Sequence, residues 1–322
     1  MKTAVLSSPA SRGIPDWIEW GKSRLAFLGP GAAREECELI LESLLGVSRA
    51  ELYLSGPAEA RIFSRFREVV GGRQRRLPLA YLLGGAWFWD ARLEVGPGVF
   101  IPRPETEGMI EGFLKEGGFS PSDPFRFLDL GTGSGAIALT LARLFPKARG
   151  VASDISDEAL GTARRNAEIL KVGDAIQFLR MDGLSGFCKE SFDVIFSNPP
   201  YIGRGDLGSL EPEVRSEPLL ALDGGEDGMD FYKRIAGELV ALKRGGSLWV
   251  EIGWGQSARV RGIFEPMGFD TIKIFKDLNG TDRIVKGTGC FSSRQRHGKC
   301  DYGDGPKRDR PHEFQASEAC AF

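Results

Sequence analysis

The sequence predicts an α/β fold, in which a mostly parallel sheet of the nucleotide-binding type follows a small N-terminal helical domain and a β-hairpin linker. Residues 125–130 form a short apolar run that leads into a glycine-rich turn and then into an apolar helical run, as in the first β-α unit of such a sheet. Further apolar runs alternate with helical runs toward the C-terminus, which is typical of a parallel sheet. Residues 16–84 instead show helical periodicity without strand alternation.

The N-terminal region is predicted to be helical after a loose leader at residues 1–15. Its first apolar set consists of Trp17, Trp20, Leu25 and Leu28. The segment Ser48-Arg-Ala-Glu51 is a capping box, which opens a short helix. We expect residues 16–84 to form a substrate-recognition domain for a macromolecule, with a role in dimerisation or stability as the alternative.

The linker and the sheet follow this domain. Residues 85–103 alternate aromatic and β-branched side chains around Asp90 before a turn at residues 96–98, which indicates a β-hairpin linker. We expect the catalytic domain over residues 104–287 and a disordered tail over residues 288–322, where Gly, Ser, Arg and Asp lack periodicity. The later strands are predicted at residues 175–181, 192–197, 247–252, 271–275 and 283–285, the last two flanking the hairpin signal Asn279-Gly280.

Composition narrows the class of protein. The chain of 322 residues is long enough for two domains, and its 42 Lys and Arg against 44 Asp and Glu give a net charge of −2. No global field therefore attracts nucleic acid, and we expect no stable nucleic-acid binding. The five cysteines lack metal-type spacing, so no metal site is expected. Without a signal peptide or a membrane-spanning run, the predicted location is cytoplasmic.

The glycine-rich turn predicts a ligand site at the end of the first strand. Glycines at alternate positions tolerate positive φ and let the backbone approach a ligand closely. Their spacing is not the GxGxxG phosphate fingerprint, so a pyrophosphate cradle is less expected. The candidate cofactor-binding residues here are Asp129, Gly131, Thr132, Gly133, Ser134 and Gly135.

The next strand, at residues 149–154, ends in a second candidate ligand residue. The Asp154 carboxylate at a strand end is suited to bind two ribose hydroxyls, and Ser156 then begins a helix. A GxGxG turn after Asp129 with an acid at the next strand end resembles the S-adenosylmethionine site of Rossmann-like class I methyltransferases.

The tetrapeptide Asn198-Pro199-Pro200-Tyr201 follows the apolar run at residues 193–197. The prolines fix φ and lack N–H donors, so the turn is stiff and offers an amide oxygen and a backbone carbonyl as acceptors. Two such acceptors can hold a planar amino group with its lone pair directed at an electrophile. A turn that merely ends a strand is the alternative.

These features together predict methyl transfer to an amide or amino nitrogen. The nitrogen would be held by the Asn198 side-chain oxygen and the Pro199 carbonyl, and orientation would supply most of the rate. No general base is needed, since the excess proton can leave to water. His297 and His312, the only histidines, both lie in the C-terminal segment.

Several segments outside the general methyltransferase motifs resemble the PrmC/HemK family of protein-(glutamine-N5) methyltransferases. These segments are residues 78–84, 101–107, 198–202, 211–214, 217–228, and 277–283. The resemblance implies transfer from S-adenosyl-L-methionine to the glutamine of the GGQ motif in class-1 peptide chain release factors, which tunes translation termination.

The resemblance also assigns roles to residues. It implies that the glycine-rich turn and Asp154 bind the cofactor, that Asn198 contacts both the cofactor side and the substrate amide, and that residues 199–201 line the glutamine pocket. Arg103 and Glu107 would shape that pocket, with a linker salt bridge as the alternative.

The chain departs from the family pattern after the third strand. Family members often have an acid followed by an aromatic that packs on adenine, whereas this chain has Asp182-Gly183-Leu184. Asp182 and the Gly183 backbone are the candidate adenine contacts, and Leu184 is a candidate stacking residue.

The rival prediction is an adenine-N6 methyltransferase acting on DNA or RNA, because an exocyclic amine fits the same tetrapeptide. Such enzymes usually carry a basic recognition region. Residues 73–76 give only a small basic cluster, which we interpret as a solvated helix end or as a site for ribosomal RNA or an acidic factor surface.

Overall fold

The computed structural model describes residues 13–54 and 59–289. The chain divides into two compact units. The helical unit contains the described residues up to Gly85 together with residues 95–97 and 210–216; the sheet unit contains residues 86–94, 98–209 and 217–289. The predicted leader, residues 1–15, lies outside the described residues up to residue 12, and its end is wrong because a helix already begins at Ile14. The predicted tail, residues 288–322, lies outside them from residue 290, and its start is wrong because Thr288 still belongs to a strand.

The helical unit packs around one apolar core. Its helices are α1 (Ile14–Arg24), α2 (Pro30–Leu45), α3 (Arg49–Leu54), α4 (Ala60–Gln74) and α5 (Leu79–Leu83). Trp17, Leu41 and Phe66 are fully buried in this core. The predicted capping box is confirmed, because the Ser48 N–H donates to Glu51 Oε2 at 2.8 Å and opens α3.

Two arginines of the predicted basic cluster make ion pairs inside the helical unit. Arg73 is buried and donates to Glu36 at 2.6 Å and to Glu213 at 3.1 Å. Arg76 donates to the same Glu213 carboxylate at 2.6 Å and also pairs with Glu211. The interpretation of Arg73 as part of a solvated helix end is therefore wrong, because the acidic segment at residues 210–216 covers it.

The sheet unit begins with a short hairpin and contains a seven-stranded sheet. The hairpin is β1 (Ala86–Phe88) and β2 (Ala91–Leu93), joined through Trp89 and Asp90. The strands of the main sheet are β3 (Arg126–Leu130), β4 (Arg149–Asp154), β5 (Ile176–Arg180), β6 (Phe192–Ser197), β7 (Leu242–Glu251), β8 (Thr271–Lys276) and β9 (Asp282–Thr288). Their order is β5-β4-β3-β6-β7-β9-β8. The predicted parallel strands and the closing antiparallel hairpin are thus confirmed, although β7 begins five residues before the predicted start.

Helices and loops cover both faces of this sheet. The helices are α6 (Pro104–Glu116), α7 (Ala136–Leu144), α8 (Asp157–Leu170), α10 (Asp230–Glu238) and α11 (Ser257–Phe264); the short α9 (Pro212–Arg215) belongs to the helical unit. Alternate strand residues enter opposite cores, as side chains of a strand must. Phe127 and Phe196 lie in one core, and Leu128 and Ile195 lie in the other.

The position of β3 decides where a ligand can bind. This strand lies between β4 and β6, and the strand order reverses on either side of it. Ligands of open α/β sheets bind at such a switch point, beyond the carboxyl ends of the strands. In the part of the chain that the structure describes, no helix combines the length and apolarity needed to cross a membrane.

Candidate active site

The glycine-rich turn begins directly after β3 and is fastened to the neighbouring strand. The N–H groups of Gly131 and Thr132 both donate to the Ser153 carbonyl, at 2.8 and 2.9 Å. Gly131 and Gly133 have φ of 73° and 56°, which L side chains rarely adopt. A Cβ placed on either would meet no atom within 4 Å. The backbone of this turn therefore borders open space at the predicted cofactor position.

Asp129 holds the glycine-rich turn from inside the sheet unit. Its Oδ2 accepts from the Thr132 hydroxyl at 2.6 Å and from the Ala138 N–H at 3.1 Å. Burial raises the pKa of this carboxyl to about 7, against the lowering effect of those two donors. Its other oxygen, Oδ1, is buried without a hydrogen-bond partner. The carboxyl thus shapes the turn and keeps one acceptor unused.

The remaining residues of the turn are also well placed. Ser134 is buried, and its carbonyl accepts from the Asn166 amide of α8 at 2.9 Å. Gly135, with φ of 87°, precedes the first residue of α7. A Cβ there would lie 2.9 Å from a Leu139 methyl carbon and 3.2 Å from Ala163. Glycine at this position therefore allows α7 to pack closely against α8.

Asp154 lies at the end of β4 and faces the same turn. Its Oδ2 accepts from the Gly133 N–H at 2.9 Å, and its Oδ1 accepts from the Ser156 N–H at 2.9 Å. Burial raises the pKa of this carboxyl above its ordinary value. Each oxygen keeps a further lone pair, so the oriented carboxyl can still accept from hydroxyl groups.

The turn after β5 differs from the other predicted cofactor positions. The Asp182 carboxylate pairs with the Arg234 guanidinium. Gly183 has φ of 79°, which favours glycine, and a Cβ there would lie 2.4 Å from the Arg234 guanidinium and 2.5 Å from the Glu238 carboxylate, so both side chains would have to move. Leu184 is fully buried in a hydrophobic core. This burial argues against the suggested stacking of Leu184 on adenine and leaves the backbone of this turn as the candidate contact.

The Asn198-Pro-Pro-Tyr201 turn follows β6 at the same sheet edge. The Ser197 hydroxyl donates to the Leu130 carbonyl at 2.8 Å, which joins this strand end to β3. The Asn198 amide nitrogen donates to the Thr106 hydroxyl at 3.0 Å. Pro199 is buried, whereas Asn198, Pro200 and Tyr201 are partly exposed. Burial raises the pKa of the Tyr201 hydroxyl above its ordinary value, so this residue is neutral at physiological pH.

A loop and a glutamine fix the backbone of Tyr201. The Gln256 amide nitrogen donates to the Tyr201 carbonyl at 2.8 Å, and the same amide accepts from the Gly253 N–H at 2.9 Å. A Cβ on Gly224 would lie 2.8 Å from the Tyr201 backbone, and one on Gly228 would lie 2.4 Å from the Tyr201 carbonyl oxygen. The loop that contains Gly224 and Gly228 therefore packs directly on the Asn-Pro-Pro-Tyr turn. Sequence reasoning missed Gln256.

Arg103 and Glu107 have separate partners. The Arg103 guanidinium pairs with Glu217, whose other oxygen accepts from the Ile101 N–H at 3.0 Å. Glu107 accepts from the Trp89 N–H at 2.8 Å. The suggested salt bridge within the linker is thus replaced by an ion pair between Arg103 and the Glu217 segment.

Two polar residues lie behind Asn198, and the sequence did not indicate either. The Thr106 hydroxyl on α6 donates to Glu251 Oε2 at 2.5 Å. Glu251, at the end of β7, is 2% exposed, and burial raises the pKa of its carboxyl to about 7. The one available signal was an acid within the otherwise apolar strand at residues 247–252.

The sheet edge fits S-adenosylmethionine as a cofactor. The unused Asp129 oxygen and the oriented Asp154 carboxyl are acceptors for an ammonium group and for ribose hydroxyls, and the open space at Gly131 admits the cofactor close to the backbone. The sheet, its switch point and this donor set define a class I S-adenosylmethionine-dependent methyltransferase.

Comparisons with known proteins identify the family. The Methyltransferase small domain family matches residues 119–208, and the PrmC N-terminal domain family matches residues 16–84. The release factor glutamine methyltransferase of Caulobacter vibrioides is 39% identical over 83% of this chain and 93% of its own length. The proteins of that name from Cereibacter sphaeroides and Geobacter sulfurreducens are also 39% identical, over 81% and 84% of this chain and 93% and 94% of their own. The chain belongs to the release factor glutamine methyltransferase family.

Proposed function

We propose that this protein methylates the side-chain amide nitrogen (N5) of the glutamine in the GGQ motif of class-1 peptide chain release factors. The observation that carries the proposal is the orientation of the Asn198 amide. Its nitrogen donates to Thr106, so its oxygen is directed to the opposite side as an acceptor. An acceptor next to the Pro199 carbonyl suits a group with two N–H donors, which is what a glutamine amide offers.

The chemistry of the site is one of positioning. S-adenosylmethionine, when bound, supplies the methyl group as an electrophile. The Asn198 side-chain oxygen and the Pro199 carbonyl accept the two amide hydrogens of the substrate and align its nitrogen lone pair. The same two oxygens stabilise positive charge as it develops on that nitrogen. The proton leaves to water afterwards, so no side chain has to act as a base.

The cofactor is assigned to the turn after β3 and to the strand ends beside it. Asp129 and the turn residues Gly131, Thr132, Gly133, Ser134 and Gly135 would hold its amino-acid portion, and Asp154 would accept from its ribose. The backbone of Asp182 and Gly183 would hold the adenine. Asn198 contacts both cofactor and substrate, while Pro200 and Tyr201 line the glutamine pocket, to which the Arg103–Glu217 pair adds a wall.

The helical unit is assigned to recognition of the release factor, and the protein is expected to act in the cytoplasm, where termination takes place. Residues 73–76 do not favour a nucleic-acid partner, because Arg73 is buried against Glu36 and Glu213. Stable binding to DNA or RNA is accordingly not expected, and methylation of adenine is not favoured by the family.

The test is mass spectrometry of a purified class-1 release factor after incubation with this protein and S-adenosylmethionine. Parallel reactions contain DNA and ribosomal RNA as acceptors. We expect one methyl group on the GGQ glutamine, and a loss of kcat of about 100- to 1000-fold in Asn198→Ala, comparable to removal of one positioned transition-state hydrogen bond. Asn279→Ala, at the exposed β8–β9 turn, is the matched control and should keep full activity. Methyl on adenine with none on the factor would overturn the proposal.

A further inference from the structure

We propose that Thr106 and Glu251 are positioning residues that decide which end of the Asn198 amide faces the substrate. The proposal rests on the function proposed above and adds the mechanism that sets the polarity of its acceptor. Neither residue belongs to the glycine-rich turn or to the Asn-Pro-Pro-Tyr turn. They reach Asn198 from α6 and from the end of β7.

The polarity follows from counting hydrogens. A threonine hydroxyl has one hydrogen to donate and lone pairs with which to accept. Thr106 gives its hydrogen to the Glu251 carboxylate at 2.5 Å, and therefore can only accept from Asn198. The group at 3.0 Å from Thr106 must then be the Asn198 amide nitrogen, which also acts as a hydrogen-bond donor toward Glu251. The Asn198 oxygen is consequently the end that remains for the substrate.

This choice matters because the two ends of an asparagine amide have nearly the same shape and opposite chemistry. With the oxygen outward, Asn198 accepts an N–H of the substrate amide. With the amide reversed, two N–H groups would face the N–H groups of the substrate, and the alignment of the nitrogen lone pair would be lost. A carboxylate behind Thr106 excludes the reversed amide as long as it is ionised.

The surroundings of Glu251 bring the pKa of its carboxyl close to neutral pH. The ionisable groups around it are Arg283 on β9, Glu105 on α6, Tyr201 after β6 and Tyr232 on α10. Arg283 lowers its pKa and Glu105 raises it, but burial has the largest effect and brings the value to about 7. Tyr232 donates to the backbone carbonyl of Glu251 at 2.8 Å and holds this strand end in place.

Protonation of Glu251 would release the constraint. A protonated carboxyl can donate its own hydrogen to Thr106, and the Thr106 hydrogen is then free to bond the Asn198 oxygen. The amide could then reverse and keep a hydrogen bond to Thr106. We therefore expect kcat, measured at saturating cofactor, to fall as the pH drops below about 7. We expect Glu251→Gln to remove this fall, although the Asp129 carboxyl at the cofactor site has a pKa near the same value.

The first test distinguishes the hydrogen bonds of the Thr106 hydroxyl from the volume of the Thr106 side chain. Thr106→Val keeps the shape and removes the hydroxyl, and should lower kcat on the order of 100-fold while cofactor affinity is unchanged. Thr106→Ser restores the hydroxyl and should restore kcat. Thr140→Val is the matched control, because Thr140 is equally buried and bonds only the Ala136 carbonyl within α7. A merely structural role would lower thermal stability in both valine variants without the difference in kcat.

The second test uses Glu251→Gln, which cannot ionise. Its kcat should be lower at pH 8 and should no longer fall below pH 7. An acidic limb that persists unchanged in this variant, or Thr106→Val with the kcat of the wild type, would overturn the proposal. If wild-type protein does not methylate the factor at all, the proposed function fails instead.

The hydrogen-bond chain from Glu251 through Thr106 to Asn198 can also be tested without turnover. In 15N-labelled protein, the side-chain amide signals of Asn198, assigned by their loss in Asn198→Ala, should shift with the ionisation of Glu251 and stay constant in Glu251→Gln. Signals that titrate identically in both proteins would contradict this hydrogen-bond chain, whether or not the release factor is the substrate.

Discussion

Two turns at one sheet edge differ in how the chain supports them. The glycine-rich turn after β3 and the Asn-Pro-Pro-Tyr turn after β6 each have a buried carboxyl bonded to a threonine hydroxyl behind them. In the first, Asp129 and Thr132 are three residues apart. In the second, Thr106 and Glu251 are 145 residues apart. The cofactor side is thus built locally, whereas the substrate side is assembled from distant segments.

The difference follows from the residues that make each turn. Glycines permit positive φ, so the first turn can fold back and bond the Ser153 carbonyl with its own N–H groups. Prolines have no N–H, so the second turn contributes fewer donors of its own. Its position depends instead on Gln256 and on the packing of Gly224 and Gly228 against Tyr201.

Substitution of Gly228 should have the largest effect on kcat, because it displaces the Asn-Pro-Pro-Tyr turn on the substrate side of the site. In Gly228→Ala the new Cβ would lie 2.4 Å from the Tyr201 carbonyl, so the turn must move. We expect a loss in kcat on the order of 100-fold, since small displacements of positioning groups are costly. Steady-state kinetics at saturating cofactor measures this loss.

Gly280→Ala is the control for Gly228. Both glycines have positive φ, 74° at Gly228 and 79° at Gly280, but a Cβ on Gly280 meets nothing within 4 Å. This control should lose some stability, about 1 kcal/mol, through backbone strain alone, and keep its kcat. Equal kcat values in the two variants would show that contact with Tyr201 is unimportant.

Substitution of Asp154 should affect the cofactor side instead. Asp154→Ala removes an acceptor that the Gly133 and Ser156 N–H groups hold in place. A hydrogen bond to a charged group contributes about 2 kcal/mol, so cofactor affinity should weaken about 30-fold. Calorimetry measures this affinity, and kcat at saturating cofactor should change far less.

Asp157→Ala is the control for Asp154. Asp157 is exposed and pairs with Arg180 at 2.9 Å, so its loss should leave cofactor affinity unchanged. If Asp154→Ala lowered kcat as much as affinity, the separation between the two turns would not hold.

The buried carboxyl of Glu251 should also make stability depend on pH. Because its pKa is raised to about 7, the folded chain binds a proton that the unfolded chain has already released between about pH 4.5 and 7. The contribution of Glu251 to the free energy of unfolding therefore falls as pH rises through that window, by about 1 kcal/mol per pH unit between pH 5 and 6.

Denaturant unfolding of wild type and Glu251→Gln across this range isolates that contribution as a difference between the two curves. Glu111→Gln, an exposed change on α6, should reproduce the slope of the wild type. A wild type whose free energy of unfolding rises with pH relative to that of Glu251→Gln would contradict the raised pKa of Glu251.

Local features of the site could be predicted from sequence, and distant ones could not. The strands ending at Leu130, Asp154 and Ser197 are short apolar runs next to turn residues, so periodicity located them. Thr106 and Glu251 look like ordinary helix and strand residues, and only the sheet order places them behind Asn198. Arg73 was misread for the same reason, because the acids that bury it are far away in the chain.

The composition of the helical unit has a consequence for synthesis on the ribosome. Residues 210–216 complete this unit and supply Glu213 to Arg73, yet they are made about 130 residues after Gly85. At ordinary rates of translation this interval is roughly 7 to 26 s. During that time the nascent helical unit lacks a segment, and Arg73 has only Glu36 as its acidic partner. Strands β3 to β6 of the sheet unit are therefore synthesised before the N-terminal unit is complete.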